Sequence, residues 1–307
     1  QMCIRDRVMK CPHCDVSLSE HKGGRLICHY CGYTQPMPKL CPKCGSKYIL
    51  GFKAGTQQIE EKLKELYPGV RTLRMDADTT RTKDSYEKIL SAFSNGEADV
   101  LIGTQMIVKG HDFPKVTLVG ILAADLSLNA SDYRAGERTF QLLTQAVGRA
   151  GRGVLPGEAV IQTYQPDHYA ITCAAAQDYK SFYEEEILYR ELSGYPPAAH
   201  MLAVQIYGKE EENVKQLALR LTDVVKSNMD FLSGKQKEQS NKKIQVLGPA
   251  PANISKINDI YRYVFYVKHA EYDVLVEVKD RLEETLRQWQ PRQMSICLLY
   301  TSPSPRD

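Results

Sequence analysis

The chain has 307 residues, a hydrophobic share of 43%, a charged share of 25% and a formal charge of +3 from 40 Lys and Arg against 37 Asp and Glu. That length predicts two or three folding units with separate apolar cores, and the composition excludes a disordered chain, while the near balance of charge neither demands nor excludes a polyanionic partner. The longest apolar run, VTLVGILAA at 116–124, is broken by Gly120 and is too short to cross a bilayer; with no secretory leader visible, a cytoplasmic location and no membrane partner are expected.

Six of the nine cysteines fall in three Cys-x-x-Cys pairs, Cys11 with Cys14, Cys28 with Cys31, and Cys41 with Cys44. Such a turn aims two thiolates at one point. A second turn thirteen residues on completes the tetrahedron that zinc prefers, so Cys11, Cys14, Cys28 and Cys31 are expected to close one site. Cys41 and Cys44 make half a site that Cys3 alone cannot complete, and Cys173 and Cys297 are read as unrelated to metal. A disulfide framework is the competing reading and a redox pair a weaker one; Gly, Pro and His beside the thiols of a chain without a leader suit metal better. His13, His21 and His29 are read as solvated bystanders. The segment 8–47 has few large apolar residues, so zinc, worth on the order of 10 kcal/mol in small modules, is expected to hold it together as a structural ion. Four thiolates leave no open position for a reacting water.

From Tyr48 to about Gln165, short apolar runs alternate with amphipathic helices, the pattern of a parallel sheet with helices on both faces. Ile59, Leu63 and Leu66, and then Tyr86, Ile89, Leu90 and Phe93, recur at helical spacing and are expected to face the core. Strands are expected at 71–75, 98–103, 116–124 and 158–164, the second and third being central because they are apolar on both faces. Ligands gather at the carboxyl ends of such strands, which directs attention to the loops after Gly103, Ala124 and Leu142.

The first loop reads GTQMIVKGHDFP, 103–114, and the region beyond the third includes QAVGRAGR, 145–152. Arg149 and Arg152 lie three apart, on one side of a helical turn, where two guanidinium groups can reach one phosphate. An isolated Arg-x-x-Arg is more often a surface pair meeting carboxylates; the surrounding residues reverse that reading. The two segments resemble the fifth and sixth motifs of the second, RecA-like lobe of superfamily 2 helicases. More narrowly, GTQM followed by KGHDFP and then DYRAGERTFQLLTQAVGRAGR is similar to the bacterial replication-restart (primosomal) helicase family, PriA or primosomal protein N′. The cysteine pairs and GFKAGTQQIEE, 51–61, match the same family, in which a zinc module is embedded in the motor. The resemblance runs from about Val8 to Ile296. It implies that Arg149 and Arg152 form a finger pair on the γ-phosphate of ATP with Gln145 nearby, and that Gly110 and Asp112 face the nucleotide. Thr104, Gln105 and Lys109 would meet the single-stranded DNA backbone.

No Gly-x-x-x-x-Gly-Lys-Ser/Thr loop and no Asp-Glu pair after a strand occur, so the Mg and phosphate side of the nucleotide pocket is missing and the chain alone is not expected to hydrolyse ATP. The ends depart from the family: QMCIRDR stands where a cysteine pair should precede VMKCPHC, and CLLYTSPSPRD interrupts the expected last strand. Residues 1–7 and 297–307 are therefore read as a non-native leader and tail resembling translated sequencing adaptor, the alternative being a genuine lineage-specific tail.

After a helical stretch from His168 to Leu192, SGYPP marks a boundary. Strand 200–208, helix 210–231, a basic loop 234–243, strands 244–252 and 260–268, a helix over 272–289 and a truncated sixth element predict a ferredoxin-like α/β domain. Arg262, Tyr263 and Lys268, with Lys256 upstream, are read as either a surface for unpaired bases or a protein partner, or as packed tyrosines with solvated cations. The expected organisation is a truncated zinc module at 8–47, helicase lobe two at 48–195 and a C-terminal α/β domain at 196–296. The leading functional expectation is part of an ATP-dependent 3′ to 5′ DNA helicase acting at stalled forks. Its implied partners are forked and single-stranded DNA, single-strand-binding protein and primosome or helicase-loading proteins. The alternatives are a zinc-dependent module that binds branched DNA or proteins without ATP, and lobe two of an RNA helicase.

Overall fold

The computed structural model describes residues 2–3, 7–21, 24–42, 44–46, 49–50, 55–76, 79–80, 83–108, 113–130, 132–227 and 244–300. The chain divides into two compact units, one of residues 1–52 with 187–307 and the other of residues 53–186, so that the cysteine-rich segment falls in the same unit as the C-terminal domain.

In the first unit, β1 (Met2–Cys3), β2 (Arg7–Val8) and β6 (Ile49–Leu50) form one small sheet. The meander β3 (Ser19–His21), β4 (Arg25–Ile27) and β5 (Thr34–Pro36) forms another. The core under the meander consists of thiols with Met9, Leu18 and Leu26. So few apolar side chains cannot offset the ordering entropy of the segment, as the composition predicts.

The second unit begins with α1 (Thr56–Leu66), β7 (Thr72–Met75), α2 (Lys83–Ser94) and β8 (Val100–Gly103), and continues through β9 (Leu118–Ile121), α3 (Asp125–Leu128) and α4 (Ala135–Val147). It ends with β10 (Glu158–Ile161), α5 (Tyr169–Ala175) and the start of α6 (Tyr179–Ser193). Pairing is parallel throughout, β7 with β8 and β9 with β10. Helix α4 buries Ala135, Thr139, Leu143 and Ala146, the i, i+4, i+8, i+11 stripe of a core-facing helix. Phe140 stacks on Phe182 with ring centroids 4.1 Å apart and joins Ala170, Ile171 and Ala174 in the main core.

Two sequence expectations fail here. Helix α1 buries no residue, and Leu66 is 60% exposed. Neither β8 nor β9 is central, since each pairs with a single neighbour among the described residues, and Leu118 of β9 is 62% exposed. The cause is shared: among the described residues the parallel strands form two separate two-stranded ladders, so each strand keeps an unpaired edge and too little surface is available to cover every apolar face.

The C-terminal part orders β11 (His200–Gly208), α7 (Glu211–Ser227), β12 (Gln245–Ile257), β13 (Ile260–His269), α8 (Tyr272–Trp289) and β14 (Met294–Tyr300). The antiparallel sheet runs β12-β13-β11-β14, the ferredoxin-like arrangement. Helices α7 and α8 bury Val214, Leu217, Leu221, Leu275, Val278 and Leu282 against Leu202, Val204, Ile206, Phe265 and Val267. The sixth element is not interrupted: the ladder from Gly208↔Met294 to Leu202↔Tyr300 carries β14 through Cys297–Tyr300, because the apolar run CLLY continues the strand pattern of MSI.

The cations and aromatics of the last hairpin do not make an open surface. Tyr263 is 8% exposed and belongs to the core, while Lys268 is 5% exposed, donates to the Ser193 carbonyl at 2.9 Å and lies 3.6 Å from the Tyr195 ring centroid. Burial lowers the Lys268 pKa below the ordinary lysine value. The basic loop 234–243 lies outside the described residues.

Candidate functional site

Each of the three cysteine turns closes in the same way, with the N–H of its first cysteine donating to a carbonyl five residues on: Cys11 to Val16 at 2.9 Å, Cys28 to Tyr33 at 2.8 Å and Cys41 to Ser46 at 2.8 Å. Gly32 and Gly45, which follow the second and third pairs, have φ of +76° and +68°, the left-handed conformation that turns the chain back. The first two turns bring the Sγ atoms of Cys11, Cys14, Cys28 and Cys31 within 4.8 Å of one another. Cys11 and Cys31 Sγ are 3.6 Å apart, close to the edge of about 3.8 Å of a tetrahedron with 2.3 Å zinc–sulfur bonds.

The donor set therefore fits a four-coordinate zinc, and the thiolates, three of them buried, would hold it without an open position. Burial pushes the Cys14 thiol up to about 12 and raises that of Cys11. At Cys28 burial is outweighed by the N–H groups of Cys31 and Tyr30, and its thiol falls to about 7. Cys41 is buried and Cys44 partly so, and among the described residues neither belongs to the four-sulfur cluster. His13, half-exposed, is not among the clustered ligands, and its Nδ1 lies 2.7 Å from Asp259 Oδ2. His29 is exposed, and the side chain of His21 lies outside the described residues.

The second candidate site lies at the carboxyl ends of β8 and α4. Thr104 and Gln105 are exposed and lead into a 3-10 turn, Gln105–Val108. A Cβ on Gly103 would stand 2.5 Å from Ile107 Cγ2 and 2.6 Å from the Met75 carbonyl, so only glycine lets this turn fold back on β7. Helix α4 ends at Gly148, whose N–H reaches the Thr144 carbonyl at 3.0 Å, and Gln145 is exposed on its last turn.

Gly151, at φ +71°, then reverses the chain and donates to the Val116 carbonyl at 3.0 Å. From this loop Arg149 Nη2 donates to the Val108 carbonyl at 2.5 Å, joining the segments 103–108 and 145–152. Its Nε is buried without a hydrogen-bond partner among the described residues. Arg152 is exposed, and its Nε donates to the Gly148 carbonyl at 2.7 Å. Lys109, Gly110 and Asp112 lie outside the described residues.

Pattern reading missed the group that braces this side of the lobe. Asp125, buried at the mouth of β9, accepts from Thr163 Oγ1 at 2.7 Å and from the Tyr164 N–H at 3.0 Å. The Thr163 hydroxyl, with help from the Tyr164 N–H, holds its carboxyl below the ordinary aspartate value. The only sequence signal was its place immediately after the apolar run 116–124.

Comparison with known proteins matches all three regions. Residues 11–36 match the PriA DNA helicase Cys-rich region domain, residues 40–154 the helicase conserved C-terminal domain, and residues 191–298 the primosomal protein N C-terminal domain. Replication restart protein PriA of Bacillus subtilis (strain 168) is 42% identical over 293 residues, covering 95% of this chain and 35% of that protein. The protein of the same name from Synechocystis sp. is 39% identical over 282 residues, 90% of this chain and 33% of that protein. That of Chlamydia muridarum is 41% identical over 263 residues, 85% and 34%. The chain thus spans about a third of the length of these relatives.

Proposed function

From a chain that belongs to the replication restart protein PriA family, with a zinc-ribbon cysteine cluster and a helicase C-terminal domain, we infer the second motor lobe of an ATP-dependent 3′ to 5′ DNA helicase. The whole protein acts on forked and single-stranded DNA in replication restart, with single-strand-binding protein and primosome or helicase-loading proteins as partners. Arg149 and Arg152 donate to the γ-phosphoryl oxygens of ATP as negative charge grows there, with Gln145 beside them. Gly110 and Asp112 face the nucleotide, and Thr104, Gln105 and Lys109 follow the DNA backbone. Zinc is structural. The Mg and phosphate cradle belongs to the other lobe, so this chain alone does not turn over ATP.

The observation that carries the reading is the bond from Arg149 Nη2 to the Val108 carbonyl, which ties the fifth-motif segment to the sixth while leaving the guanidinium without a carboxylate partner among the described residues. The test is DNA-stimulated phosphate release by the full-length protein. Arg149→Ala and Arg152→Ala should each lower it on the order of 10³-fold or more while DNA binding persists. Loss of less than tenfold in both, or phosphate release by this chain alone that an Arg152→Ala control abolishes, would overturn it.

A second reading, a zinc-dependent DNA- or protein-binding module without motor activity, draws support from the grouping of the cysteine-rich segment with the C-terminal domain. Fork binding with and without nucleotide separates the two: nucleotide dependence in the full-length protein favours the motor.

A further inference from the structure

Strands β12 and β13 end on the pair Ile257↔Ile260, which leaves Asn258 and Asp259 as a two-residue turn with φ of +50° and +61°. A turn with both φ positive suits the twist of its strands, and it leaves its own N–H groups outside the ladder. Both of those groups face the zinc module. The Asn258 N–H donates to Cys14 Sγ at 3.2 Å and the Asp259 N–H to the His13 carbonyl at 2.9 Å. The Asp15 N–H answers with a bond to the Lys256 carbonyl at 2.8 Å, so the turn and the first cysteine pair exchange backbone bonds as neighbouring strands do.

Side chains fasten the same joint. Lys256 Nζ donates to the Pro12 carbonyl at 3.0 Å, Ser255 Oγ donates to Asp15 Oδ2 at 2.8 Å, and His13 Nδ1 pairs with Asp259 Oδ2 at 2.7 Å. Ile257 packs against the apolar cluster of the module. The exposed ion pair contributes little by itself. The backbone donor to a metal-ligating sulfur is different in kind, because partners of this sort fix the orientation of a ligand and govern how well the metal is held.

We propose that the β12–β13 turn is an outer clamp on the thiolate centre, with Asn258 and Asp259 as positioning residues, so that metal retention by Cys11, Cys14, Cys28 and Cys31 and seating of the turn are reciprocally linked. A metal bound by the four thiolates would fix Cys14 where it accepts from Asn258, and the seated turn holds Cys14 where it can take up the metal. The linkage is independent of whether the arginine pair reaches a nucleotide.

The test uses the zinc-loaded 307-residue chain and a metallochromic chelator. Asn258→Ala with Asp259→Ala disfavours positive φ and removes the carboxylate, and zinc should leave about tenfold faster. Asn258→Gly with Asp259→Asn keeps the turn and an acceptor for His13, and release should stay within about twofold of the unsubstituted chain. Independently, stripping zinc from the unsubstituted chain should speed amide hydrogen exchange at Asn258 and Asp259 and leave Leu275 and Leu282 in α8 protected. That readout stands even if a variant folds poorly. Equal release from all three proteins, or unchanged exchange at the turn after zinc removal, overturns the proposal.

Discussion

The arginine loop is held by glycines whose missing side chains can be replaced one at a time, with a cost that follows from the surroundings. A Cβ at Gly151 would lie 2.6 Å from the Gly157 nitrogen and 3.0 Å from its Cα, on a residue with φ of +71°. Left-handed backbone costs alanine roughly 1–2 kcal/mol, and forced overpacking adds roughly 1–3 kcal/mol, so Gly151→Ala carries about 2–5 kcal/mol of strain. Gly148→Ala meets the Thr144 carbonyl at 3.3 Å, Gln177 Nε2 at 3.5 Å and the Gln145 carbonyl at 3.9 Å, and Gly120→Ala meets nothing within 4 Å.

The strain has two outlets. If the loop stays closed, the lobe melts lower, at roughly 4 °C per kcal/mol for a unit of this size, or about 8–20 °C. If the loop opens, Arg149 leaves the Val108 carbonyl and phosphate release by the full-length protein falls about 30- to 5,000-fold. The assays are a thermal melt of this chain and DNA-stimulated phosphate release by the full-length protein, with Gly120→Ala as the control for the glycine-to-alanine change itself. A Gly151→Ala variant that matches Gly120→Ala in both would refute the idea that close backbone approach positions the arginines.

Other expectations follow from the same geometry. Chelation of zinc should expose Cys11, Cys14, Cys28 and Cys31 to alkylation together, whereas in the zinc-loaded chain they should react slowly and Cys173 should react regardless; mass spectrometry of alkylated peptides reads this directly. Phe265→Ala, at a fully buried position in the C-terminal core, should cost about 3–5 kcal/mol in urea denaturation. Asp125→Asn should destabilise the lobe at neutral pH. Because the folded-state pKa of Asp125 lies below its ordinary value of 3.8, its contribution is complete above that value and is lost as pH falls through the lower folded-state pKa. The gap between wild type and variant in a denaturation midpoint should therefore close on acidification and be constant between pH about 5 and about 7.

The features legible in the sequence are those set by local chemistry. Cys-x-x-Cys spacing gave the four-sulfur cluster because a turn of that length leaves few other directions for two thiols, and the period of Tyr272–Trp289 gave α8 because its apolar stripe matches the helical repeat. The misreadings concern partners supplied from afar. Alternation in β13 correctly separated two faces, but nothing local to Lys268 announced that the Ser193 carbonyl and the Tyr195 ring would enclose it. The bond from Asn258 to Cys14 spans 244 residues. The residues Asn-Asp between Ile257 and Ile260 signal a turn, and its target is fixed only by the fold. Strand β9 reads as central because apolarity reports what a strand could bury, whereas its exposure depends on which neighbours pair with it.

The arginine pair is where local and distant information meet, and there the ordinary fate of an Arg-x-x-Arg can be compared with its actual contacts. A guanidinium whose role was stability would meet a carboxylate, since a buried donor left unpaired forfeits roughly 1–3 kcal/mol. Arg149 instead gives one N–H to a backbone carbonyl and keeps Nε buried and unpartnered among the described residues. An anchored guanidinium with donor capacity left over has its orientation fixed and is not neutralised, which is the condition for stabilising charge that appears only in a transition state. The same bond makes Arg149 sensitive to the 3-10 turn at Gln105–Val108, so a shift of that turn would move the guanidinium with it. Replacing Arg149 with Lys tests this coupling: it keeps the charge but loses the planar fork, so the full-length protein should still bind DNA while its phosphate release no longer rises when DNA is added.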